Sequence, residues 1–134
     1  MKQFERLQKS SPVIVAGSRS IKSMETVDYA ITQSPFTIEL LVRGAARGVD
    51  RLAEQWAKDH EIPYIGVPAR WEDEGNRAGM IRNGAMASVA DGLVAVWDGQ
   101  SPGTKNMIEQ AHEAGMIVYV LNTSNRTEKI NKTR

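Results

Sequence analysis

Residues 92–111, GLVAVWDGQSPGTKNMIEQA, change hydrophobic period halfway along, and that change decides the fold. Residues 92–97 form a near-continuous apolar run, as a strand buried on both faces requires. After Gly103 and Thr104 the apolar residues fall at helical spacing. Ile108 and Ala111 fit one stripe, and Met107, Ala111 and Ala114 fit another. The junction is rich in Gly, Ser and Thr, so it reads either as an ordinary strand-to-helix turn or as an anion cradle at a helix start.

The same strand-then-helix unit recurs along the chain. Apolar runs predict strands at 13–16, 38–42, 64–67, 92–97 and 117–121. Helical stripes lie between them: Ile21, Met24, Val27 and Ile31; Val49, Leu52, Ala53 and Trp56; Ile81, Ala85 and Val89. The third stripe places Arg82 and Met86 on a different face, toward a ligand, a partner subunit or water. Strict alternation implies a single-domain, doubly wound α/β fold with a parallel sheet, helices on both faces and right-handed crossovers. In such folds ligands sit beyond the carboxyl ends of the strands, where strand order reverses. For the order 3-2-1-4-5 that point falls between strands 1 and 4.

Composition narrows the function classes. The 134 residues suffice for one domain with a core, and they contain no cysteine, which excludes disulfides, thiolate nucleophiles and cysteine–zinc sites. No apolar run is long enough to span a membrane, and the charged start lacks a secretory signal, so a cytoplasmic location is expected. Net charge is +1, but residues 12–121 carry 10 Lys/Arg against 14 Asp/Glu. A nucleic-acid binder should carry a basic stripe on its body, so nucleic acid is not an expected partner. The basic residues gather in a polar extension, 1–11, and a polar tail, 122–134, flanking the folded body at 12–121. No metal spacing is present, and neither a metal nor a cofactor is expected.

The loops at strand ends carry the candidate site. AGSRS, 16–20, offers Gly17 for a tight turn, Ser18 and Ser20 as caps for a helix near Ile21, and Arg19 as a fork donor for phosphate. DGQSPGTK, 98–105, offers Asp98, Ser101, Gly103 and Thr104 near a helix start. RGAARGVD, 43–50, adds Gly44, Arg47 and Asp50, the last equally readable as a favourable first-turn charge. The fourth stretch, 68–86, holds Arg82, Asn83 and Trp71, a residue that either stacks on a base or packs on its own loop.

In these four stretches the chain resembles the SLOG superfamily, the Rossmann-like group that includes the DprA/Smf proteins and the Lonely Guy (LOG) phosphoribohydrolases. More narrowly, it resembles the YspA, cpYpsA-related branch. VIVAGSR resembles the first glycine motif and RGAARGVDRLAEQWA the second. PARWEDEGNRAGMIRNGAM is similar to the branch signature P-A-x-W…G…AG-x-x-RN-x-x-M, and DGQSPGTKNMI resembles the last motif. The resemblance spans residues 13–121 and implies a nucleotide-like ligand at the strand ends. Superfamily ligands include nucleoside monophosphates, which LOG enzymes cleave at the base–ribose bond, and NAD-derived molecules of the ADP-ribose type.

The chemistry of cleavage is where the resemblance weakens. LOG enzymes carry P-G-G-x-G-T-x-x-E, and here Met107 holds the place of the glutamate. Glu109 lies two residues further on, a rotation of roughly 200° around the helix, and does not replace it. The LOG motif R-K-x-x-M keeps Arg82 and Met86 but has Asn83 for the lysine. Cleaving a glycosidic bond passes through a cation-like state that a carboxylate must stabilise or trap. The leading expectation is therefore a binding module that senses or sequesters a phosphate-bearing nucleotide or an NAD/ADP-ribose-derived ligand. The alternative is a LOG-like phosphoribohydrolase or related N-ribosyl hydrolase using a displaced carboxylate, Asp98 or Asp50. A homodimer or larger homo-oligomer is expected, because superfamily members pair through helices beside the site and Met80 and Met86 lie off the third stripe.

Overall fold

Successive side chains of a strand point to opposite faces of its sheet, and here each face has its own core. On β1 (Val13–Gly17), Val13 and Val15 enter one apolar cluster while Ile14 and Ala16 enter the other. β4 (Gly92–Trp97) repeats the pattern, with Val94 and Val96 on the first face and Leu93 and Ala95 on the second. The computed structural model describes residues 12–44 and 48–124, apart from the side chains of Trp71, Asp73 and Asn76. Arg47 and the Trp71 side chain therefore lie outside the described residues.

β2 (Leu41–Gly44), β3 (Tyr64–Val67) and β5 (Ile117–Asn122) complete a five-stranded parallel sheet in the order β3-β2-β1-β4-β5. This is the expected order. Burial on both faces holds for the three inner strands and not for the edges, where Ile65 and Val120 are 43% and 36% exposed. The second strand begins later than expected: Ile38 is buried, but parallel pairing starts at Leu41 and continues through Gly44 against Val67.

Helices α1 (Met24–Gln33) and α2 (Val49–Asp59) cover the first face through Val27, Ala30 and Ile31, and through Val49, Ala53, Trp56 and Ala57. Helices α3 (Ala78–Val89) and α4 (Pro102–Glu113) cover the second through Met86, Met107 and Ala111. A one-turn helix, Trp71–Glu74, and a 3-10 turn, Gly75–Arg77, lead into α3. The result is a single-domain α/β Rossmann-like fold. Among the described residues no helix is long and apolar enough to cross a membrane.

Two expectations about the helices need correction. α1 starts at Met24, where the Ser23 hydroxyl accepts from the Thr26 N–H, so neither Ser18 nor Ser20 caps it. On α3 the buried residues are Ala78, Asn83 and Met86, while Ile81 and Val89 are 41% and 51% exposed. Period alone favoured the wrong face. The inward face tolerates Asn83 because α4 satisfies its amide, and Gly84 allows close approach, since a Cβ there would sit 3.1 Å from Gln110 Oε1. Met86, expected off the core, is 1% exposed within it. The α4 ambiguity resolves to Thr104, Met107 and Ala111, with Ala114 exposed.

Candidate functional site

The sheet places the chain reversal between β1 and β4, and a cleft of about 520 Å³ opens there, within the range of small-molecule sites. Gly17 at the end of β1, with Ser18 and Arg19 after it, forms one wall, and Ser101, Gly103 and Thr104 after β4 form the other. Asp50, Arg82 and Asn83 also line it. Nine of the sequence-predicted site residues thus meet at one place.

The two walls are tied together by hydrogen bonds. The Ser18 N–H donates to the Val96 carbonyl at 3.0 Å, and the Asp98 N–H donates to Ser18 Oγ at 3.0 Å. Ser20 Oγ donates to Asp98 Oδ2 at 2.8 Å, across 78 residues of sequence. The N–H groups of Gln100 and Ser101 both donate to Asp98 Oδ1 at 2.8 Å, and Ser101 Oγ donates at 3.1 Å. Desolvation pushes the Asp98 carboxyl up, but the Gln100 and Ser101 N–H groups with the Ser20 and Ser101 hydroxyls outweigh it. The carboxyl is held well below the usual carboxylate range, which makes it a weak base. Asp98 stands behind the cleft wall and organises it.

That arrangement sets a pH dependence. The folded pKa of Asp98 lies below its ordinary value of 3.8, so the unfolded chain takes up the proton first as pH falls. The stability Asp98 contributes is complete above that ordinary value and is lost on acidification below it. Asp98→Asn is expected to melt lower at pH 7, by about 4 °C for each 1 kcal/mol lost. Its melting temperature should also fall less steeply than wild type between pH 4 and pH 2. Parallel slopes in thermal melts would contradict this assignment.

At the other wall, Ser101 is the N-cap of α4, but its side chain makes no cap hydrogen bond because the hydroxyl turns to Asp98. The first-turn N–H groups therefore lack a side-chain cap, beside the positive end of the helix dipole. Gly103 is exposed, and a Cβ added there would meet nothing within 4 Å. Gly17 is different: a Cβ would overlap the Val96 carbonyl and come within 2.7 Å of Val49 Cγ2, so strand packing itself demands glycine.

Positive charge comes from α3 and the β1 loop. A Cβ on Gly44 would collide with the Arg82 guanidinium and approach Asp50 Oδ2 to 2.7 Å, so this glycine makes room for that pair. Burial pushes the Arg82 guanidinium down, the Asp50 carboxylate pushes it up and the Arg19 charge pushes it down. Arg82 remains charged throughout the working pH range. Arg19 and Arg82 line the cleft with one carboxylate, Asp50, which leaves a surplus of positive charge, to which the α4 start adds. Arg43, nearby in sequence, pairs with Glu54 on α2 instead.

The floor is apolar. Met86 and Met107 are each 1% exposed, belong to the second core and line the cleft. Met107 is thus both core and floor. Sequence reasoning omitted Ser20, Gly79 and Pro102 from the lining, and for Ser20 the signal was present in the AGSRS loop. Among the described residues no group of three or more His, Cys, Asp or Glu side chains is placed to hold a metal.

Comparison with known proteins points to one family. The profile of the YspA, cpYpsA-related SLOG family matches residues 11–73, which include the β1 loop, Gly44 and Asp50. The Gene 61 protein of Mycobacterium phage D29 is similar, with 34% identity over 116 residues, covering 79% of this chain and 92% of that protein.

Proposed function

This chain belongs to the YspA, cpYpsA-related SLOG family, and from that premise we propose that its cleft binds a phosphate-bearing nucleotide or an NAD/ADP-ribose-derived ligand without cleaving it. The observation that carries this reading is the uncapped start of α4 beside Gly103, whose missing side chain the fold does not require. A phosphate oxygen fits there, held by backbone N–H groups and by Arg19 and Arg82. Gly17 and Ser18 close the first wall, Thr104 the second, and Asp50 suits a ribose hydroxyl.

The absence of turnover follows from the carboxylates. Met107 fills the position one turn into α4, Asp98 is committed to the loops, and Asp50 stands against the Arg82 guanidinium, which balances its charge. An oxocarbenium-like state over two methionine thioethers would find little stabilisation. In the cell, a cytoplasmic protein of this kind senses or sequesters its ligand. Denaturing the purified protein and analysing the supernatant by mass spectrometry tests the reading. An intact nucleotide or ADP-ribose-type molecule, stoichiometric with protein, supports it, and a small molecule without phosphate counts against it.

The same helix that supplies Arg82 suggests an assembly. Ile81, Ala85 and Val89 form an exposed stripe at i, i+4 and i+8 on α3, with Met80 56% exposed beside it. Apolar stripes of this kind suit a second copy across a two-fold axis, because one patch then covers its own image. Light scattering at roughly 50 µM should give a dimer or larger even assembly, and Ile81→Glu with Val89→Glu should give monomer. A wild type that is monomeric at that concentration would sink the assembly.

A further inference from the structure

We propose that Asn83 is a positioning residue that fastens the Arg82 guanidinium to the start of α4, so that both halves of the anion cradle hold one geometry. This rests on the binding reading above. Asn83 is 5% exposed, and its Nδ2 donates to the Gly103 carbonyl at 3.2 Å and to Asn106 Oδ1 at 3.1 Å. Both partners are acceptors, so the amide has only one workable orientation. Its Oδ1 then faces Arg82, whose Nε–H donates to it at 3.0 Å.

The next residues fix that orientation. Gln110 Nε2 donates to the same Asn106 Oδ1 at 2.9 Å and to the Met80 carbonyl at 2.9 Å. Asn106 is thereby held as an acceptor between two donors, and Gln110 ties α4 back to the first turn of α3. An aspartate at 83 would set a second oxygen against the Gly103 carbonyl, and a leucine would leave buried polar groups unpaired. Holding an arginine at Nε removes rotamer freedom while leaving its terminal nitrogens for a bidentate anion. Asn83 therefore acts on the ligand through Arg82, at the helix whose N-terminus forms the opposite wall.

The test has a ligand-free arm and a binding arm, both on the full chain. In the ligand-free arm, hydrogen exchange at arginine Nε is followed by nitrogen-15 NMR. The Arg82 Nε–H should exchange at least about tenfold more slowly than that of exposed Arg19. Equal rates in wild type would overturn the proposal, with no variant needed. In the binding arm, AMP affinity is measured calorimetrically for Asn83→Leu and Arg82→Gln, singly and together. Asn83→Leu should weaken AMP by about tenfold when Arg82 is present and by less than about twofold in the Arg82→Gln background. Equal losses in both backgrounds would show that Asn83 acts on α4 alone and would overturn the proposal. Should wild type fail to bind AMP, the same titrations are run with ADP-ribose; failure with both sinks the binding reading, while the exchange comparison still decides the role of Asn83.

Discussion

Gly103→Val is expected to fold and melt like wild type, yet to lose about a hundredfold in AMP affinity. The stability half follows from the helix. A side chain at 103 projects into open space, and valine is a somewhat better helix former than glycine. The affinity half follows from distance. Branched methyl groups at the α4 start would keep a phosphate from the first-turn N–H groups, and two lost charge-assisted hydrogen bonds amount to roughly 3 kcal/mol, or about a hundredfold. Gly103→Ala should fall between the two. The contrast is Gly17, where a Cβ would overlap the Val96 carbonyl, so Gly17→Ala should damage the fold itself. Thermal melts with calorimetric titration separate the two glycines. If Gly103→Val binds AMP as wild type does, the ligand does not approach α4.

Arg82→Ala and Arg19→Ala should both weaken AMP, but only one should disturb the fold. Arg19 is exposed, so its loss removes one fork donor, about tenfold in affinity, with melting unchanged. Arg82 is half-buried, engages Asn83 and stands beside Asp50, so its loss also takes a positive neighbour from a buried carboxylate. Its affinity loss should be larger, about tenfold to a hundredfold, and its melting temperature should drop by several degrees. The helical stripe turned Arg82 away from the core, but the structure half-buries it against Asn83, so the two arginines are unequal. Unchanged affinity in either variant would remove that arginine from the cradle.

What could be read from the sequence was whatever depends on local order. Strand order and the meeting of the β1 and β4 loops follow from alternating periods and from the reversal that such sheets must contain. Gly17, Arg19, Gly103 and Thr104 were visible because glycine, serine and arginine at strand ends are chemically unusual wherever the strands lie. The buried face of α3 was not visible. Its apolar stripe, Ile81–Ala85–Val89, has the stronger period, while the true inner face carries Asn83, acceptable only because Gly103 and Asn106 are waiting on another helix. Asp98 was only partly legible for the same reason. As a sequence letter it is a carboxylate at a strand end; Gln100 and Ser101 hold it locally, and Ser20, which ties it to the other loop, reaches it only in the folded chain. Met107 stood at the balance point between core and ligand, and the structure places it at the boundary of both.

A cleft that holds a nucleotide and returns it unchanged is distinguished from an enzyme by equilibrium dialysis against adenine-labelled AMP and ADP-ribose. After equilibration, both compartments are separated chromatographically and the label is assigned to intact ligand or free adenine. Intact ligand should be retained on the protein side at about one per chain, with free adenine no higher than in a protein-free control. Label distributed equally across the membrane for both ligands, or free adenine accumulating beyond the amount of protein, would contradict it.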